Sequence, residues 1–336
     1  MNRIWLGSVA AMGILACNSE PGPSDVPDGA SLLEAAATTY TPHDLGTLGG
    51  NRTYALAINS VGQIVGGSTL ANGQTHGFIF TGGVMKDIGT LGGDYSEAFG
   101  INDRGHVVGA SKKANGAIHA FLWKAGKMTD LGTIGIRSSA ATDINNNEWI
   151  GGSADGIPII WKNGVKTRLK LPPNATYCAI AELNDAGRAV GQCTVRQIAK
   201  AFRWDGDKVA GLGTLGGKLS SPSGINGAGA IVGQSWVTFG NGVHPFLWEK
   251  GTMTDLTTQG ASQGFSPAAI NDRYEIVGVW GNGTQIVSGV LRNGSVSQIG
   301  GAIGVDTYAS DINASGQVVG NTVSGAGYRA LLWSPE

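Results

Sequence analysis

The chain has 336 residues, of which 56 are glycine, 14% are charged and 41% are apolar, with a formal net charge of -1. Glycine is more than twice its usual share of about 7%, but it follows no Gly-X-Y period, which excludes collagen. The apolar content excludes a disordered chain, and near-neutrality leaves no basic stripe for nucleic acid.

Met1-Asn2-Arg3 supplies one positive charge, and Ile4 to Ala16 is an apolar stretch of 13 residues. That is too short to span a bilayer and suits the core of a signal peptide. It ends in Ile14-Leu15-Ala16-Cys17, which resembles the lipobox of bacterial lipoprotein signals. The resemblance implies removal of residues 1–16 and lipid on Cys17, so the membrane is an expected partner through that anchor. Residues 17–42 then form the lipidated Cys and a tether rich in Pro, Ser, Gly and Asp, a composition that stays flexible. Asn18 is not the Asp that marks inner-membrane retention. The expected address is the outer membrane or cell surface.

The rest of the chain, residues 43–336, is built from repeats. Ile-Asn (once Leu-Asn), a polar turn, an apolar pair and Gly recur seven times, with the Asn at 59, 102, 145, 184, 226, 271 and 313. Seven residues after each Asn stands Gly66, Gly109, Gly152, Gly191, Gly233, Gly278 or Gly320. No copy breaks that offset, although the Asn-to-Asn spacing runs from 39 to 45. Each unit reads as four short strands. In the second copy these are Ser96 to Asn102, His106 to Ser111, His119 to Trp123 and Met128 to Thr133. The Asn caps the first turn, and Gly105 there takes positive φ. Phe121 and Trp123 lie on one face of the third strand and Leu122 on the other. Both faces are therefore covered, as in a propeller blade flanked by neighbours.

The ends choose between an open stack and a ring. His43 to Leu48 reads as a fourth strand without its blade, and Arg329 to Trp333 as a third strand without its successor. Asp44 to Leu48 is expected to pair with Ala330 to Trp333 and leave no open edge. The predicted fold is all-β: a seven-bladed β-propeller of four-stranded antiparallel blades, closed by the N-terminal strand, acting as a monomer.

His119-Ala120-Phe121-Leu122-Trp123, with variants such as His244-Pro245-Phe246-Leu247-Trp248, resembles the motif of the bacterial extracellular HAF-repeat family, over about residues 43–336. Arg292 departs from the motif's Trp. The resemblance implies an extracellular address and a propeller-like fold, and brings no catalytic residues.

His76, His119 and His244 share one repeat position. Coming from separate blades, they cannot converge on a zinc ion within ~2.1 Å, so a strand-end role is expected, with no metal and no cofactor. Asp143, Glu182 and Asp311 lie two residues before their Asn. Pairing with Arg, or solvation near the channel, is expected for them. Phe80, Trp123, Trp161, Trp204 and Trp248 read as packing between blades. The loops before the first strands vary most in polar type. Arg52, Tyr54, Tyr95, Arg137 and Tyr177 are the candidate ligand-binding residues there, for a glycan or protein ligand. The reading favours a non-catalytic binding or interaction module. The alternatives are a polysaccharide lyase or glycosidase, using Tyr54 with Arg52 or Tyr177 with Arg137, and a structural envelope protein.

Cys178 and Cys193 are expected to form a disulfide, which export permits. They lie six residues before and nine after Asn184. The matching pairs elsewhere are Thr53 with Ser68, Ser96 with Ser111, Ser139 with Ala154, Ser220 with Ser235, Phe265 with Trp280, and Thr307 with Thr322. The two positions change together, as directly opposed residues do. A two-residue turn pairing Asn184 with Gly187 would bring the cysteines face to face, whereas a three-residue turn with a Gly bulge would shift the register by one.

Overall fold

A computed structural model describes residues 38–135, 138–238, 242–262, 264–300, 305–324 and 327–336. The expected signal segment, Cys17 and Arg137 lie outside the described residues. The described chain is strands and turns, with one 3-10 helix at Leu256–Gln259.

Strands associate as five four-stranded antiparallel sheets and one of eight strands, the latter being two four-stranded units joined where Thr75 meets Tyr95 in parallel. The first strands of successive units are Gly49–Ile58, Gly92–Ile101, Ser139–Ile144, Ala175–Leu183, Ser220–Ile225, Ser266–Ile270 and Asp306–Ile312. The final unit takes its fourth strand from the other end of the chain, because Tyr40–Asp44 pairs with Gly327–Pro335. That strand starts earlier than Asp44. Tyr40 faces Pro335 and Asp44 faces Leu331, and only the Leu45 N–H, bonded to the Ala330 carbonyl, extends the ladder further. Thr47 and Leu48 have already turned toward the next unit, where the Leu48 N–H meets Ser68.

The core is cut into slices that each lie between two units. Val65 and Ile79 of the first unit pack with Phe121 and Trp123 of the second. Val108 and Ala120, from the opposite face of the second, pack with Ile144 and Trp161 of the third. Another slice joins Val319 and Ala330 of the last unit to Phe78 and Phe80 of the first. The aromatic series is buried as expected, with Trp204 at 1% and Trp161 at 2% exposure.

One local geometry recurs in every first hairpin. The Asn N–H bonds the carbonyl four residues on, as from Asn184 to Arg188, so the turn is one residue longer than expected. A β-bulge three residues before the Asn, between Ile180 and Glu182 here, adds one residue to the facing strand and restores the register. Cys178 therefore opposes Cys193 after all, with Sγ atoms 2.03 Å apart. Thr53 with Ser68 and Thr307 with Thr322 hold the same register. The bulge also explains the Gly seven residues past each Asn. It drives a carbonyl toward that residue, and a Cβ there would lie 1.9 Å from the Glu97 oxygen in the second unit and 2.0 Å from the Tyr54 oxygen in the first.

Candidate functional site

The first strands converge at the end that carries the Asn turns. Each Asn is nearly buried, at 3–6% exposure. Its side-chain oxygen accepts from its own turn, as from Gln63 N–H to Asn59. Its Nδ2 donates to the backbone carbonyl of the next Asn. Asn59 reaches Asn102, Asn102 reaches Asn145, Asn145 reaches Asn184, and Asn184 reaches Asn226. Asn226 reaches Asn271, Asn271 reaches Asn313, and Asn313 returns to Asn59 at 3.1 Å.

Within this belt lies a depression of about 250 Å³, lined by the seven Ile/Leu-Asn pairs together with Asp103, Asp143, Asn146, Glu182, Asp185, Asp272 and Asp311. Of the two expectations for Asp143, Glu182 and Asp311, the place beside the channel holds, and among the described residues none of them pairs with an arginine. Each accepts a backbone N–H from the following unit instead: Leu183 at 2.9 Å, Ile225 at 2.7 Å and Ile58 at 2.9 Å. Each keeps partial exposure in the depression, yet the packed surroundings remove most of the water that would stabilise a charge. Burial pushes Asp311 up to about 7 and raises Asp143. Glu182 is raised first by burial, then by the charges of Asp143 and Asp311.

Of the proposed rim residues that are described, Arg52 and Tyr54 lie in Gly49–Ile58, Tyr95 in Gly92–Ile101 and Tyr177 in Ala175–Leu183, and none of the four lines the depression. Tyr54 and Tyr95 come together, because both hydroxyls donate to Glu97, which is 5% exposed. A Cβ on Gly67 would lie 2.5 Å from the Tyr54 hydroxyl, so that glycine makes room for the ring. Burial, then the charge of Glu97, pushes both phenols far above their ordinary range. A phenol held so firmly to its proton is a poor base, which removes the chemical motive for a Tyr54–Arg52 lyase pair. Arg52 places its Cζ over the Tyr328 ring, 4.6 Å from the centroid. Tyr177 stands apart, half exposed and against the Gly156 turn.

The histidines do hold strand ends. His76, His119 and His244 each place Nδ1 2.7–2.8 Å from Asp87, Asp130 or Asp255, eleven residues on. The same aspartates accept the N–H two residues ahead. Arg329 and Asp44 reproduce this pair across the chain ends. Among the described residues, no group of three or more His, Cys, Asp or Glu is arranged to hold a metal ion.

No family model matches the chain, and no curated protein matches it. Solved structures do match. The β-propeller domain of the Trilobed protease from Pyrococcus furiosus aligns with a TM-score of 0.60 at 11% identity, over 90% of this chain and 95% of that one. An acylaminoacyl peptidase from Pyrococcus horikoshii aligns with a TM-score of 0.56 at 11% identity, over 84% of this chain and 52% of that one. A streptogramin B lyase aligns with a TM-score of 0.50 at 14% identity, over 88% and 98%. The chain thus has the β-propeller fold. At these identities the likeness says nothing about chemistry.

Proposed function

We propose that the protein is a non-catalytic binding propeller of seven blades, closed into a ring by its N-terminal strand and exported as a lipid-anchored protein of the outer membrane or cell surface. The pairing of Tyr40–Asp44 with the C-terminal strand and the return of the Asn belt from Asn313 to Asn59 support the ring. The Cys178–Cys193 bond supports export to an oxidising compartment. The HAF-type motif and the lipobox-like Ile14 to Cys17 support the address.

One observation carries the functional reading: most of the described groups that could do acid-base chemistry are already engaged. His76, His119 and His244 are held by aspartates, the channel carboxylates by backbone N–H groups, and Tyr54 and Tyr95 by Glu97. What the rim leaves open is polar and aromatic surface on a rigid frame, which is the material of recognition rather than turnover. The test is a glycan array and an envelope-protein pull-down with the mature protein, alongside a lyase assay on uronate polymers. Saturable binding without turnover is expected. Release of unsaturated uronate product would overturn the reading, as would the absence of binding in both screens.

A further inference from the structure

On that reading, we propose that Arg52 and Tyr328 form the carboxylate-binding centre of a glycan site, at the seam where the last unit meets the first, and that the ligand is a sugar chain whose uronate groups are spaced by neutral residues.

The guanidinium of Arg52 is laid over the Tyr328 ring, 4.6 Å from its centroid. A guanidinium held over a ring by its π-face attraction still carries N–H donors in the fork that matches a carboxylate. Arg104, Arg188, Arg273, Arg292 and Arg329 each face a carboxylate of this chain. Among the described residues, none pairs with Arg52. Arg52 and Tyr328 are both exposed, Tyr328 at 38%. The cation is thus preorganised and unspent.

The surroundings select the kind of anion. In the flanking units, the position equivalent to Arg52 is Asp306 on one side and Tyr95 on the other. The Asp306 carboxylate accepts the Ile286 N–H, and Asp94, next to Tyr95, pairs with Lys112 at 2.9 Å. With the Asp94 charge offset by Lys112, one free cation beside Asp306 suits a single carboxylate, and a dense run of carboxylates would meet the Asp306 charge. Tyr308 beside Tyr328 adds a second ring and a hydroxyl. Aromatic faces for C–H groups beside a polar fork are what a pyranose uronate needs.

Titration calorimetry of the mature protein with short hyaluronan oligosaccharides, in which glucuronate alternates with a neutral sugar, tests this directly. Binding is expected, and chitin oligosaccharides of equal length should bind at least about tenfold more weakly, since the charged hydrogen bonds are lost. Arg52→Ala should weaken hyaluronan binding by about 10- to 100-fold. Arg52→Lys should fail to restore it, because an ammonium lacks the fork. Tyr328→Ala should weaken binding through loss of the stack. Both sites are exposed, so unchanged thermal unfolding serves as the folding control. Equal binding of the neutral oligomer, or an unaffected Arg52→Ala variant, would overturn the carboxylate centre while leaving a binding propeller intact. Arg52-dependent binding of polyglutamate without hyaluronan would overturn the glycan assignment. No binding of any probe would overturn the whole inference, and the two screens above would then judge the broader reading separately.

Discussion

Asn313→Asp isolates the link that joins the last unit to the first. The change is isosteric and keeps an oxygen to accept the Ser315 and Gln317 N–H groups at 3.1 and 3.0 Å. What it removes is the Nδ2 donor, which reaches the Asn59 carbonyl at 3.1 Å and Gln317 Oε1 at 2.9 Å. A carboxylate oxygen would then face two acceptor oxygens at a site 4% exposed. Such a group raises its pKa, and a rise of about 2 units amounts to roughly 2.7 kcal/mol at neutral pH. Losing the hydrogen bond adds about 1 kcal/mol. The folded form binds the proton more tightly than the unfolded chain, so the stability is present below about pH 4 and lost as the pH rises through the folded pKa. Protonated, the new acid can donate an O–H to the carbonyl and recover the link. Urea unfolding followed by tryptophan fluorescence, compared with the parent at each pH, should show a deficit near 1 kcal/mol at pH 4.5 and about 3–4 kcal/mol at pH 8. Asn226→Asp, within the chain, should behave alike. Asn72→Asp should cost under about 0.5 kcal/mol, because it caps an exposed turn. A pH-independent Asn313→Asp deficit matching that of Asn72→Asp would show that the seam is open to water and refute the ring.

Asp311 sits at about 7 in the fold, well above the ~3.9 of an unfolded chain. It favours folding below about pH 4 and loses that contribution as the pH rises through about 7. Asp311→Asn gives up one of two accepted N–H bonds. It should therefore be less stable than the parent at pH 4 and gain on it by up to ~4 kcal/mol toward pH 8. A flat difference in urea unfolding would refute this. Reducing the Cys178–Cys193 bond, which spans 15 residues, should cost about 3 kcal/mol. Thiol titration of unfolded, unreduced protein should find neither cysteine reactive. Arg292→Trp restores the repeat motif, yet it strips Glu275 of a partner at 2.6 Å and Thr38 and Tyr40 of their donors. It should destabilise by about 3 kcal/mol in the same assay, and a neutral result would show that the motif outweighs the ion pair.

The repeat, the strand faces and the opposed cysteines were legible in the sequence because side-chain alternation and unit-to-unit covariation report them directly. The Asn belt was also within reach. A turn cap needs only an acceptor, which Asp or Ser supplies equally well, whereas all seven copies use Asn. That insistence signals a donor as well. The roles of Asp143, Glu182 and Asp311 were hidden because their partners are backbone N–H groups, which no side-chain pattern reveals. The meeting of Tyr54 and Tyr95 at Glu97 depends on how two units are juxtaposed. Arg292 was visible as a departure from the motif, but its partners Thr38 and Tyr40 come from the far end of the chain.

The longer turn and the bulge in each first hairpin are errors of opposite sign that cancel. Adding or removing one residue between the Asn and the Gly would leave one of them uncorrected, and every side chain beyond it would exchange core for solvent. Copies made by duplication could therefore drift in length only where no such correction operates. The spacing of 39 to 45 residues beside an unvarying offset of seven records that division. Insertions engineered into the protein should be tolerated between the second and third strands, as at Ala71 to Gln74, and rejected within the Asn turn.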